Sequence, residues 1–215
     1  MIHAYNKVYL DDACNLLGSY FDIAVNEEKK TIQQAAYYFM ITSECRLFEC
    51  GYPQLLSGSS GCDLYNKVFL KDIKSNRVFL DKSKEYWLGY YLAYYQWYTA
   101  VKFSFILSIV NIEELLRMYN PYHEMDVMHF VHDLNNIINK RKKNTNLENI
   151  RQNHDLTRKQ LSFMSGVPIR TIEQYEQRRK DINKASGATL VALAKVLFVQ
   201  PEDLLELTNW QEENK

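Results

Sequence analysis

Glycine and proline are scarce, with seven and four in 215 residues. Few turn-forming residues argue for long helices joined by few breaks. Net charge is also missing, since 26 basic residues balance 26 acidic ones. Long apolar runs are absent as well. The longest uncharged stretch, Tyr86 to Val101, has sixteen residues and contains Gln96. That is short of the roughly 20 needed to span a bilayer. No basic-then-apolar signal pattern follows Met1, so the expected location is the cytoplasm. The four cysteines, Cys14, Cys45, Cys50 and Cys62, form no C-x-x-C pair. Their spacing suits no zinc site, and in a reducing compartment they pack as small apolar groups.

What is present is an ordinary globular composition, 47% hydrophobic and 24% charged. The length accommodates one large domain or two small ones. The balanced total hides an asymmetry. From Asn139 to Lys184 twelve basic residues face five acidic ones, a net of +7. From Met1 to Ile138 the count is twelve against sixteen, a net of −4. A basic segment joined to a mildly acidic one fits a polyanion-binding module fused to something else.

The basic segment holds the most informative stretch, Leu156 to Gln177. Thr157 and Gln160 are spaced as a capping box, with Leu156 and Leu161 as a hydrophobic staple. Gly166 falls where a tight turn needs a permissive backbone, and Pro168 presets φ at the first position of a second helix. Ile172 and Tyr175 share one face of that helix. Ile169, Arg170, Thr171 and Gln174 are left on others. Such a pair of helices is the shape of a DNA-reading element.

Taken together, I-R, L-T-x-x-Q-L, S-G-V, R-T-I-x-x-Y-E, L-x-A-L-A-K-V-L and P-E-D-L-L occur in order between about Leu147 and Leu207. This segment resembles the phage-repressor/Cro-like (Xre) helix-turn-helix family. The resemblance implies a five-helix, lambda-repressor-like domain that binds double-stranded DNA as a transcriptional regulator. It also implies a structural ion pair between Arg151 and Glu176. Base contacts would come from Ile169, Arg170, Thr171 and Gln174. Arginine suits guanine O6 and N7, glutamine suits adenine N6 and N7, and an apolar side chain suits the thymine methyl. Phosphate contacts would come from Arg158, Lys159, Arg178, Arg179, Lys180 and Lys184. The plain alternative for each is a solvated surface charge. Two departures stand out: the loop from Arg178 to Thr189 is long, and Phe198 occupies a position where relatives carry glycine. Phenylalanine disfavours the left-handed conformation, so this helix end is expected to close differently.

The first 140 residues read as helices. One is expected over Lys7 to Asn26, with Ala13, Leu16, Leu17, Tyr20, Phe21 and Ala24 at helical spacing. Asp11 and Asp12 are adjacent and point about 100° apart, so they suit a first turn rather than a paired-carboxylate site. A second helix runs from Thr31 to Phe48, with a break near Thr42. The Ser-Gly-Ser-Ser-Gly run ending at Gly61 lacks the G-K-[ST] of a phosphate loop and reads as a turn capping a helix near Cys62. Lys71 to Lys84 reads as an irregular charged link. Glu85 to Tyr98 carries six of the sixteen tyrosines with Trp87 and Trp97. It is either a core helix or a docking surface for a partner. Asn111 is placed to cap a short helix. Val127, Phe130, Val131, Leu134, Ile137 and Ile138 stripe another, on which His129 and His132 lie three apart, with His123 and Asp133 nearby. Nothing else supports metal or acid–base work there. The run Lys140 to Lys143 reads as a solvated helix end that could touch phosphate.

The motifs Y-L-D-D-A, F-E-C-G-Y-P to S-G-S-S-G, and E-Y-W-L-G-Y-Y-L-A-Y-Y-Q-W-Y resemble a little-characterised helical domain of bacterial proteins. That domain is typically joined to an Xre-type module and encoded beside toxins. The resemblance implies an antitoxin-like or operon-regulating role and brings no catalytic residue. The resulting expectation is an all-α chain: a helical domain at 1–140, a linker at 141–146 and a DNA-binding domain at 147–215. It would be a homodimeric repressor of its own operon, neither enzyme nor metalloprotein, with no cofactor and no membrane segment. An antitoxin that silences a protein toxin through residues 1–140 is the alternative.

Overall fold

The computed structural model describes residues 3–74 and 82–206. Within them every regular element is helical, so the fold is all-α. Of the expected irregular link at Lys71 to Lys84, residues 75–81 lie outside the described residues, and Lys84 already belongs to a helix. The chain divides into two compact units, Met1–Leu134 and Asn135–Lys215. This division falls inside a helix, upstream of the linker placed at 141–146.

In the first unit, a 3-10 turn at Lys7–Tyr9 opens on Asn6, whose side chain accepts from the Val8 N–H. It leads into α1 (Leu10–Asp22), whose last turns widen into a π-helical segment at Ile23–Glu27. One continuous helix over Lys7 to Asn26 was expected; the chain instead changes pitch at both ends. Asp11 and Asp12 stand in the first turn, exposed, and Asp12 accepts from the Ser57 hydroxyl at 2.5 Å.

Thr31 and Gln34 form a capping box at the start of α2 (Ile32–Ile41), and the expected break at Thr42 separates it from α3 (Ser43–Glu49). A single turn, α4 (Pro53–Leu56), precedes α5 (Gly61–Phe69). Ser60 and Asp63 box the N-terminus of α5, so the serine–glycine run serves as a helix start. The aromatic helix is α6 (Lys84–Thr99), capped by Ser83. Then come α7 (Phe103–Ile109), α8 (Ile112–Arg117) with Asn111 as its cap, and a short kinked turn, α9 (Tyr119–Tyr122). The helix that crosses the division is α10 (Val127–Arg141).

The first core forms where α1 lies against α5 and α6. Two glycines permit that approach. A Cβ on Gly89 would stand 2.4 Å from the Leu17 carbonyl oxygen, and one on Gly61 would stand 2.4 Å from the Ser19 Cβ. Both are far inside contact distance, so any larger residue would push the helices apart. Around this seam Tyr20, Phe21, Phe39, Phe48 and Phe103 are essentially fully buried. The rings of Phe39, Phe48 and Phe103 meet edge to face at 5.6 to 5.9 Å, the arrangement aromatic quadrupoles favour. Along α6, Tyr86, Trp87, Tyr95 and Trp97 are buried, whereas Tyr90, Tyr91, Tyr94 and Tyr98 are half-buried. The aromatic helix is therefore core on one side and a partly open surface on the other.

The second unit contains α11 (Asn146–Asn153), α12 (Arg158–Ser165), α13 (Ile169–Glu176), a 3-10 turn at Ile182–Lys184, α14 (Gly187–Leu197) and a 3-10 turn at Pro201–Leu204. The last of the five expected helices is thus a 3-10 turn. Leu147, Leu161, Val167, Ile172, Tyr175, Leu193, Leu197 and Leu204 form its core, with Ile150 and Leu156 packed against it. Lys142 is not a solvated helix end. It is buried, with its ammonium 2.8 Å from Glu206 and 2.6 Å from the Asn146 side chain. The Glu206 carboxylate also accepts from the Asn146 N–H at 2.6 Å. This tie joins the segment just before α11 to the chain just after the last 3-10 turn.

Candidate nucleic-acid interface

The turn between α12 and α13 is built as the residues dictate. The Thr157 hydroxyl accepts from the Gln160 N–H at 3.2 Å, and the Gln160 side chain accepts from the Thr157 N–H at 2.9 Å. At the other end Gly166 closes α12 in the left-handed conformation, φ +71°. Pro168 sits one position earlier than expected. It is the residue flanking α13, at φ −54° and ψ 134°, and Ile169 begins the helix. The preset φ and missing N–H serve there equally well.

On α13, Ile172, Tyr175 and Glu176 are buried. Ile169 and Arg170 are exposed, and Thr171 and Gln174 are half-exposed. Arg170 and Gln174 therefore point away from the core, while Ile169 and Thr171 stand at the edges of the buried face.

Beneath them lies a buried charge cluster. Glu176 accepts from Arg151 Nε at 2.6 Å and Nη2 at 3.0 Å, a bidentate pair. Arg151 also donates from Nη1 to the Leu156 carbonyl at 2.6 Å. Arg158, expected at phosphate, places its Nε 2.5 Å from the same Glu176 carboxylate and its Nη2 3.5 Å from Glu148. Two guanidiniums thus share one carboxylate whose side chain is fully enclosed. The hydrogen bond to Glu176, ahead of any Coulombic effect, pushes the Arg158 pKa further up. Arg158 opens α12 within reach of the end of α13, which brings it to that carboxylate.

Arg178 is also engaged elsewhere. It ends α13 in the left-handed conformation at φ 54°, donating its N–H to the Tyr175 carbonyl while the Arg179 N–H reaches Gln174. This is a Schellman closure with arginine in the place usually held by glycine. Its guanidinium donates to the carbonyls of Lys142, Lys143 and Asn144 at 2.8, 3.4 and 3.3 Å. Those contacts offset the backbone cost and anchor the start of the unit. Phe198 behaves likewise. The end of α14 closes in the left-handed conformation after all, at φ 52°, with the Phe198 N–H on the Ala194 carbonyl. Its ring stays 87% exposed.

The remaining cations, Lys159, Arg179, Lys180 and Lys184, are exposed. Lys180 stands 5.6 Å above the Tyr175 ring. It and Lys184 rim a cleft of about 450 Å³ floored by Gly166, Pro168 and Thr171. The cleft also meets the start of α14, where Ser186 caps the Thr189 N–H and a Cβ on Gly187 would touch nothing. Open helix N-terminal N–H groups attract anions. Residue-type reasoning missed this end of α14, although the Ser186, Gly187, Thr189 sequence is a readable helix start.

Residues 147–204 match the helix-turn-helix family model. The second unit therefore carries a helix-turn-helix domain, a DNA-binding regulatory module rather than a catalytic one. Neither a curated protein nor a solved structure matches the chain. The helix-turn-helix match covers none of the first 146 residues, so the antitoxin-like resemblance there gains no support from it.

In the first unit the histidines do not converge. His129 is exposed, His132 lies 3.4 Å from Asp133, and His123 stacks on Tyr119. Among the described residues no group of three His, Cys, Asp or Glu side chains could hold a metal ion. Nor is any described helix long and apolar enough to cross a membrane.

Proposed function

We propose that this protein is a cytoplasmic, sequence-specific DNA-binding transcriptional regulator that represses its own operon, with α13 as the helix that enters the major groove. The observation that carries the reading is the division of α13 into two sides. Ile172, Tyr175 and Glu176 are held in the core, and Ile169, Arg170, Thr171 and Gln174 remain outside beside a rigid turn. Arg170 reads guanine and Gln174 reads adenine, each with two hydrogen bonds, while Ile169 meets a thymine methyl. Lys159, Arg179, Lys180 and Lys184 contact phosphate, with the N-terminus of α14 as a further anion site. Arg158 and Arg178 act inside the domain. One module offers few base contacts, so the functional species is a homodimer on a palindromic operator with half-sites about 34 Å apart.

The test uses operator fragments recovered from a random duplex library by the full-length chain. Lys180→Ala should weaken binding to all sequences about equally and reduce the slope of log K against log salt by about 0.9. Full sites should bind far more tightly than single half-sites. An unchanged salt slope would remove Lys180 from the interface. A monomer that binds half-sites as tightly as full sites would remove the dimer.

A further inference from the structure

The half-buried side of α6 forms part of a second site, in the first unit. Tyr86, Trp87, Tyr90 and Tyr91 from α6 and Tyr119 from α9 wall a cleft of about 250 Å³, with Lys82 and His123 at its mouth. The walls are almost wholly ring surface. Trp87 and Tyr91 lie 4.4 Å apart at a shallow angle, and Tyr119 meets Trp87 edge to face at 5.6 Å. Behind them Phe130 props both Trp87 and Tyr91, at 5.6 and 5.4 Å. A cleft of this size with rigid π-faces fits one flat ring system.

Two polar features set the chemistry of the guest. The Trp87 indole N–H is enclosed and has no hydrogen bond of good geometry, although it leans on the Tyr91 hydroxyl. An enclosed donor without a full partner is costly to desolvate and favours an acceptor brought by a ligand. Lys82 stands with its ammonium 4.9 Å from the Tyr86 ring and 5.7 Å from the Tyr90 ring. It is exposed, so it can move to meet a charge at the mouth. The lining holds no carboxylate among the described residues. Carboxylates outside it include Asp11 and Asp126, which add to burial in raising the Tyr90 and Tyr91 pKa values, and Glu124, 3.4 Å from His123. Asp126 also caps the Met128 N–H at 2.7 Å.

From the ring walls, the unsatisfied donor and the cationic mouth, we infer that this cleft binds a small planar aromatic molecule carrying a carboxylate. The ring lies in the cleft against the open surfaces of Tyr90 and Tyr119, beside Trp87. A ring heteroatom or the carboxylate accepts from the Trp87 N–H, and Lys82 pairs with the negative charge. This site stands independently of the DNA-binding reading, because it rests on residues of the first unit alone.

The experiment titrates the full-length chain with three probes that share one ring: indole-3-acetate, indole-3-acetamide and tryptamine. Ligand-observed saturation-transfer NMR and calorimetry report affinity. Indole-3-acetate should saturate a single site and bind at least about tenfold more tightly than the neutral amide, with tryptamine weakest. Lys82→Gln, a change at an exposed position, should abolish the preference for the acid and leave amide binding in place. Trp87→Phe, which keeps an aromatic ring and deletes the donor, should weaken the acid by about tenfold. No saturable binding of any probe up to roughly 10 mM would overturn the proposal. So would equal binding of acid and amide, a preference for tryptamine, or acid affinity unchanged in Lys82→Gln.

Discussion

Replacing Glu176 with alanine is expected to destabilise the helix-turn-helix domain by about 3–5 kcal/mol. The side chain is fully enclosed and accepts from Arg151 twice and from Arg158 once. Removing it leaves the Arg151 guanidinium buried with only the Leu156 carbonyl for company. An uncompensated buried charge costs far more than the intact pair contributes. Urea denaturation followed by circular dichroism measures the loss. Two controls separate the causes. Arg158→Ala should cost much less, about 1 kcal/mol or under, because its side chain is 36% exposed and water screens the pair. Replacing both members, Arg151→Met with Glu176→Leu, should recover much of the stability, since apolar side chains of similar volume often do as well as a buried pair. A Glu176→Ala loss under about 1 kcal/mol would contradict the account of the cluster.

Arg170→Ala should have the opposite profile: little effect on folding and a large effect on sequence choice. The residue is exposed at the first turn of α13, so stability should stay within about 0.5 kcal/mol. Discrimination between the preferred operator and one with its guanine replaced should fall by about 1–3 kcal/mol. That is roughly 5- to 150-fold in the ratio of affinities. Competition binding with duplexes differing at single positions reads this directly. The loss should be confined to one or two positions in each half-site. A uniform loss across all sequences would make Arg170 a phosphate contact instead.

The sequence was most legible where one residue type has one local use. The Thr157 capping box, Gly166 at the turn and the Asn111 cap each follow from side-chain chemistry within a few residues, whereas the Arg151–Glu176 pair came only from the family resemblance. The burial of Ile172 and Tyr175 followed from helical periodicity. Long side chains were less legible. Arg158, Arg178 and Lys142 all looked like surface charges in a basic run, yet each bonds a partner distant in sequence, and Lys142 is buried. An arginine reaches several ångströms, and its destination depends on tertiary neighbours that linear spacing does not reveal. Phe198 illustrates a second limit. Backbone preference argued against a left-handed closure, yet α14 closes through one, with the Phe198 N–H on the Ala194 carbonyl. The aromatic cleft was illegible for a third reason. The tyrosines of α6 were plain in the sequence, but which of them stayed open depended on where α9 came to rest.

The most direct measurement of the central claim is equilibrium binding of the full-length chain to the DNA upstream of its own gene, compared with a scrambled duplex across a salt series. Expected are tight binding to the upstream DNA that falls steeply with salt, a clear preference over the scrambled duplex, and loss of that preference in Arg170→Ala. Equal affinity for both duplexes at every salt concentration, unaltered by Arg170→Ala, would contradict it.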